Sequence, residues 1–293
     1  MLLSTEFLLT PTNCPDENFT AFIHQKRPGN RSLFLCPRLS FAYLLFIHLL
    51  IDNSNTRTKF ALADGHTILD WRAVIPTAEL SAKSIRQALP QQKLTHATIC
   101  SVVPEKAQLL AATLTEQKIP THQVTCKSRL PITIDYPNPS GIGPDRLANA
   151  AALTPLQNAA IVIDFGTAVT FDVVSAENDG TYLGGVIAPG LGALRNDLHQ
   201  RTALLPQIDL AEPPSAIGKS TKHAMQVGAV IGYRGLIREI LLALTQELPE
   251  PPTIFATGGD ATLIASKMPE IRNVDLDLTL TGIQKIGNLN SEE

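Results

Sequence analysis

The chain has 293 residues, of which 44% are hydrophobic and 17% charged, and it carries a formal net charge of −3. That length accommodates two ordinary domains with separate cores, while the near-neutral balance and 5% aromatic content offer neither a basic, aromatic-interleaved face for nucleic acid nor a cationic face for an anionic membrane. Cys14, Cys36, Cys100 and Cys126 show no CxxC spacing and no nearby histidine pair at ligand spacing, which argues against zinc and disulfide frameworks and for a reducing cytoplasm.

Residues 1–44 carry several prolines and no sustained period, and are expected to form an irregular N-terminal extension. One account of that stretch is an upstream start that the natural protein lacks; a native mass including residues 1–40 would refute it. The run Phe41–Ile51, FAYLLFIHLLI, is about half of the roughly 20 residues a membrane-spanning helix needs. It also lies too far from the start, without a basic flank, for a signal peptide. Its C-terminal part reads as the first core strand, delivering Asp52.

From Asp52 the turn Asn53-Ser54-Asn55-Thr56 is rich in residues that bond their own backbone. Thr56, Arg57, Thr58 and Lys59 then lead into Phe60-Ala61-Leu62 and a second turn at Ala63-Asp64-Gly65. This pattern predicts a hairpin whose loop holds phosphates through hydroxyls, amides and one ammonium, without the glycine pattern of a Walker A loop. Helix is expected over Thr77–Leu89, strand over His96–Val103, and helix over Glu105–Gln117. Ser101 falls at the strand end where open α/β sheets place ligands, or where a serine simply bonds the backbone. Strand is expected over Ser128–Asp135; Pro144 then opens a helix continuing through Asp145–Thr154. Asp145 and Arg146, adjacent on a helix, should face different ways.

The stretch Ala160–Asp172, AIVIDFGTAVTFD, organises the chain. Ala160–Ile163 reads as a buried strand that ends at Asp164, and an unpartnered polar group there would cost roughly 2–7 kcal/mol, so Asp164 should face a site. Leu49–Leu62 repeats the order of apolar strand, Asp, small residue and Thr at an offset of 164 − 52 = 112 residues. The repeat predicts a duplicated unit, with two mixed-sheet lobes over residues 45–155 and 156–293 closing on a phosphorylated ligand across a cleft. Beyond it, Thr181–Leu191 is glycine-rich, Leu194–Leu205 reads as a helix burying Leu194, Leu198 and Leu205, and Ser220-Thr221 caps a long helix over His223–Leu248. Within that helix Ala224, Gly228, Ala229, Gly232 and Gly235 form a small-residue stripe suited to close packing, internal or between two copies. Thr253–Ala256 reads as a strand ending in Thr257-Gly258-Gly259-Asp260, a turn suited to a nucleotide against backbone.

In order, these motifs resemble the type III pantothenate kinases of the actin, sugar kinase and heat-shock ATPase superfamily. The resemblance rests on Asp52–Lys59, Ser101–Pro104, Tyr136, Gly143–Arg146 with Asn149-Ala150, Asp164–Thr167, Gly184–Gly190, Arg201–Pro206, Thr221 and Thr257–Gly259, over about residues 45–285. It implies a two-lobed actin-like (ribonuclease H-like) α/β fold and ATP-dependent phosphorylation of pantothenate, the step that opens coenzyme A synthesis. By position, Asp145 is similar to the general base, and Tyr136, Gly143, Pro144, Asp145, Arg146 and Thr221 to the pantothenate contacts. Asp52, Asn53, Ser54, Asn55, Thr56, Arg57, Thr58, Lys59 and Thr167 match the ATP segments, and Asp164 the ligand of a monovalent cation, potassium or ammonium. The resemblance further implies a divalent cation, Mg2+, with the ATP, a homodimer, and no nucleic-acid or membrane partner. Where Ser54 stands the family usually has glycine, which serine replaces without strain only if its backbone angles are ordinary. Two other readings share the motifs: a kinase for another small hydroxyl substrate, and a non-catalytic relative.

Overall fold

The computed structural model describes residues 47–291, apart from the side chains of residues 196–198. The expected extension over residues 1–44 lies outside the described residues.

His48–Asn53 (β1) is buried along its whole length because strands flank it on both sides. Arg57–Ala63 (β2) pairs with it antiparallel and Ile68–Pro76 (β3) continues the meander, while His96–Ser101 (β4) pairs with it parallel and carries Thr121–Gln123 (β5). The order is β3-β2-β1-β4-β5. Ala82–Ala88 (α1) and Pro104–Glu116 (α2) cover one face, where Leu49, Ile51, Phe60, Leu62, Ile85 and Leu110 pack together.

The second sheet repeats this plan. After the short strand Thr133–Ile134 (β6) and the helix Pro144–Leu153 (α3), Ala160–Phe165 (β7), Ala168–Ser175 (β8) and Thr181–Pro189 (β9) form the same antiparallel meander. Leu191–Arg201 (α4) and Thr221–Gln246 (α5) follow, then Thr253–Thr257 (β10) parallel to β7, Ala261–Ala265 (α6), Asn273–Val274 (β11) and Leu278–Asn290 (α7). Read from β9, the order β9-β8-β7-β10-β11 matches the first sheet strand for strand. The duplication expected from the repeat is therefore present, and the fold is the expected two-lobed α/β arrangement of mixed sheets.

Two elements cross over. β6 adds to β9 in the second sheet, and α7 packs against β1, β4 and α3, so neither sheet draws on one half of the chain alone. The strand expected over Ser128–Asp135 is reduced to those two residues of β6. The expected helix over Thr77–Leu89 begins as a 3-10 turn at Thr77–Glu79 before Ser81 caps α1. Helix α4 ends at Arg201; Leu194 is 37% exposed, Leu205 lies beyond the helix against Ile208 and Met225, and Leu198 is outside the described side chains. In α5, Ser220 caps through the His223 amide as expected, but the small-residue stripe divides: Ala229 is buried while Ala224, Gly228, Gly232 and Gly235 are exposed. Among the described residues no helix is long and apolar enough to cross a membrane.

Candidate active site

Each sheet ends its central strand with a carboxylate. Asp52 on β1 lies opposite Cys100 of β4, and Asp164 on β7 lies opposite Thr257 of β10, so both acids stand at the carboxyl ends of parallel neighbours, where α/β sheets bind ligands. A third acid, Asp145, is in the first turn of α3 and accepts a hydrogen bond from the Arg146 amide at 2.9 Å. A Cβ on Gly143 would approach Asp145 Oδ1 to 2.4 Å, so the glycine clears the space this carboxylate occupies.

The three acids sense one another. Burial and then the charge of Asp52 push Asp164 up to about 6, with Asp145 adding to the effect. Burial, with repulsion from Asp52, likewise raises Asp145 against the pull of the Arg146 amide and guanidinium. The nearest ammonium, Lys59 Nζ, lies 3.2 Å from Asp52 Oδ2. Two of these acids are thereby held above the ordinary carboxylate range. No three His, Cys, Asp or Glu side chains among the described residues gather closely enough to cage a metal.

Two hairpin tips face each other above the acids. In the first, Ser54 N–H donates to Arg57 O at 3.0 Å, and the Ser54 hydroxyl donates to the same carbonyl at 3.0 Å. Ser54 is not among the residues with positive φ, so serine closes this turn without backbone strain. Beneath the tip, Thr77 donates to Ser54 O at 2.7 Å, Thr58 and Thr77 share a 3.1 Å contact, and Asn53 donates to Thr58 at 2.7 Å. The Ser101 hydroxyl lies 2.6 Å from Asn53 Oδ1 and accepts from Val103 N–H at 3.1 Å. Asn53 and Thr58, expected among the ATP contacts, therefore turn their side chains inward to support the turn, and Ser101 does the same. Asn55, Thr56 and Arg57 are exposed at the tip. The second hairpin answers across the cleft: Thr167 Oγ1 lies 2.9 Å from Thr56 Oγ1. The Thr257–Asp260 turn folds over the end of β7, with Asp260 N–H donating to Phe165 O at 3.3 Å.

Arg146 reaches from α3 to β8. Its Nε donates to Asp172 Oδ1 at 2.6 Å, and its guanidinium lies 5.8 Å from the Tyr182 ring centroid. Asp172 has no exposure and also accepts from Tyr182 OH at 3.2 Å; burial pushes this carboxyl up and Arg146 pulls it down. Arg146, expected to contact substrate, donates through Nε to Asp172 and through Nη2 to Phe171 O at 3.4 Å. Tyr136, 37% exposed, packs 6.3 Å from the Tyr182 ring and over Gly184, so it borders the same region. Thr221 is exposed in the first turn of α5, and no described hydrogen bond or ion pair joins it to the Tyr136–Arg146 group. In the sequence, the only signal at Asp172 is a lone acid inside the apolar run of β8. Thr279, in α7, carries no such signal.

The family model for type III pantothenate kinase matches residues 48–243. A type III pantothenate kinase from Akkermansia muciniphila is 48% identical over 244 residues, covering 83% of this chain and 99% of that protein. One from Methylacidiphilum infernorum is 39% identical, covering 82% and 88%. Among solved structures, one from Campylobacter jejuni described as a Baf family transcriptional activator aligns with a TM-score of 0.55 at 20% identity, over 83% of this chain and 98% of that one. The ethanolamine utilization protein EutJ from Carboxydothermus hydrogenoformans aligns at 0.50 and 14%, over 83% and 89%. These two likenesses concern the fold alone. Duplicated sheets, facing Asp-turn-Thr hairpins and the sequence matches converge: the chain belongs to the type III pantothenate kinase family, whose members phosphorylate pantothenate in coenzyme A synthesis.

Proposed function

We propose that Asp145 is the general base of this kinase, taking the proton from the pantothenate hydroxyl as the γ-phosphoryl group of ATP is transferred. The observation that carries the reading is the convergence of Asp52, Asp145 and Asp164 from two lobes, close enough that Asp164 is raised by both of the others. Phosphoryl transfer asks a protein mainly for positioning and charge stabilisation. Asp52 is placed to hold the divalent cation that accompanies ATP, and Lys59, at its side, to meet phosphate oxygens. The exposed tip residues Asn55, Thr56 and Arg57, with Ser54 and Thr167 of the facing hairpin, form the phosphate-binding face. Bound Mg2+ would neutralise charge on the transferring phosphoryl group.

Asp164 is the proposed ligand of a monovalent cation, K+ or NH4+. Tyr136, Gly143, Pro144, Arg146 and Thr221 are the proposed surroundings of pantothenate, with Arg146 acting through Asp172 to fix the start of α3. A homodimer through α5 is proposed as well. Gly228, Gly232 and Gly235 are exposed on α5, an added Cβ there would meet nothing within 4 Å, and Ile231 and Leu242 of the same helix are exposed too. The cytoplasm, where ATP and pantothenate meet, is the proposed location, and the unpaired thiols of Cys100 and Cys126 fit it.

The test is ATP turnover with pantothenate in potassium buffer, repeated in sodium. Pantothenate-dependent, potassium-stimulated turnover supports both assignments. Asp145→Asn should lose about 10²–10⁴ in kcat while remaining folded, and near-normal turnover would refute the base.

A further inference from the structure

Asp164 does not stand alone at the end of β7. Asn149, one turn beyond Asp145 on α3 and fully buried, donates from Nδ2 to Asp164 Oδ2 at 3.4 Å. Its other amide atom, Oδ1, accepts from Thr279 Oγ1 at 2.8 Å. Thr279 lies in the first turn of α7, is 7% exposed, and falls outside the segment matched by the family model.

The helix crossing fixes this contact. A Cβ on Gly282, one turn beyond Thr279, would come within 1.7 Å of Ala148 O, so α3 and α7 meet backbone to backbone beside the Thr279–Asn149 pair. At that separation the threonine hydroxyl has little freedom to point elsewhere. An asparagine amide has two possible orientations; the Asp164 carboxylate, an acceptor, selects the one that presents NH2 to it, and the Thr279 hydroxyl, donating to Oδ1, holds the amide in place. The far end of α7 rests on the first sheet, where Asn288 donates to Gly65 O at 2.7 Å, and Arg72 of β3 pairs with Asp277 just before the helix at 2.8 Å. One chain of contacts thus runs from the first sheet, through α7 and α3, to the acid of the second.

We propose that Thr279 is a positioning residue for the kinase reaction: by locking the Asn149 amide it sets the orientation of Asp164 relative to Asp145 across the lobes. This rests on the reading of Asp164 and Asp145 as site residues. Partners that orient a ligating carboxylate typically matter by about 10–100-fold in activity when removed.

The experiment compares Thr279→Val, which keeps shape and removes the donor, with Thr279→Ser, which keeps the donor, and with Asp164→Asn as reference. Steady-state rates are taken at a temperature where circular dichroism shows each variant folded. The expected result is kcat lowered about 10–100-fold in T279V with KM for ATP and pantothenate within about threefold, and recovery in T279S. A merely structural threonine would lower the melting temperature in T279V and leave kcat alone. If D164N is inactive and T279V retains kcat within about twofold of wild type, the positioning role is overturned while the site reading stands. If D164N itself turns over normally, both are overturned. Asn149→Ala should reproduce the T279V defect, and no further loss in the double variant would show that the two residues act as one unit.

Discussion

The buried Arg146–Asp172 pair is tested by removing its guanidinium. Arg146→Ala removes the Nε donor 2.6 Å from Asp172 Oδ1, the Nη2 contact to Phe171 O at 3.4 Å, and the cation beside the Tyr182 ring. Asp172, with no exposure, is left with Tyr182 OH at 3.2 Å and Thr170 Oγ1 at 3.4 Å. Removing one partner of a buried pair costs about 3–5 kcal/mol, because the remaining charge is stranded. At about 2–4 °C per kcal/mol for a chain of this size, Tm should fall by roughly 6–20 °C. Asp172→Asn in the same background removes the stranded charge and should restore part of the loss. The assay is differential scanning calorimetry of wild type, R146A, D172N and the double variant at pH 8, closed as a double-mutant cycle. A Tm for R146A within about 2 °C of wild type, or a double variant no more stable than R146A, would refute the claim that the pair supports the start of α3.

The stability of the cleft acids follows from the same physics with the opposite sign. Asp164 is raised to about 6 against an ordinary aspartate value of 3.8, so the folded state binds the extra proton between those values, and stability declines as pH rises through about 4 to 6. Asp164→Asn should therefore be more stable than wild type above pH 6 and lose that advantage near pH 4. At about 1.36 kcal/mol per pH unit the gain is capped at roughly 3 kcal/mol, read as Tm in a chelated, potassium-free buffer; an advantage independent of pH would exclude this origin. Ser54→Gly should leave kcat and ATP KM within about twofold, since the turn is already unstrained; a large gain in ATP affinity would show that the serine side chain obstructs phosphate.

The meander and crossover of each lobe could be read in the sequence because apolar β-branched runs end at Asp, turn and Thr twice over, and patterning of that kind survives folding. Helix α7 could not. Its sequence LTLTGIQKIGNLN carries two glycines and two threonines, which lower helix propensity, and the reason for one of those glycines is a crossing with α3 that only the tertiary structure contains. The acids Asp52, Asp145 and Asp164 were visible as carboxylates at element ends. That Asn53 and Thr58 turn inward was not, because their burial rests on a hydroxyl and amide network with Thr77 and Ser101, residues distant in sequence. Arg146 was read as turning away from Asp145 by helix geometry; its partner Asp172 required the β8–α3 packing.

The placement of α7 has a consequence for how the protein is made. One face of the first sheet, with Leu50, Ala61, Ala63 and Cys100, is closed by Leu280, Ile283 and Ile286 near the end of the chain. On the ribosome, strands β1 to β5 emerge well before α7, and until α7 follows this face has only Ala148 and Ala151 of α3 and Val124 beside it. Such long-range closure slows folding and leaves an apolar sheet face open to other chains in the interval.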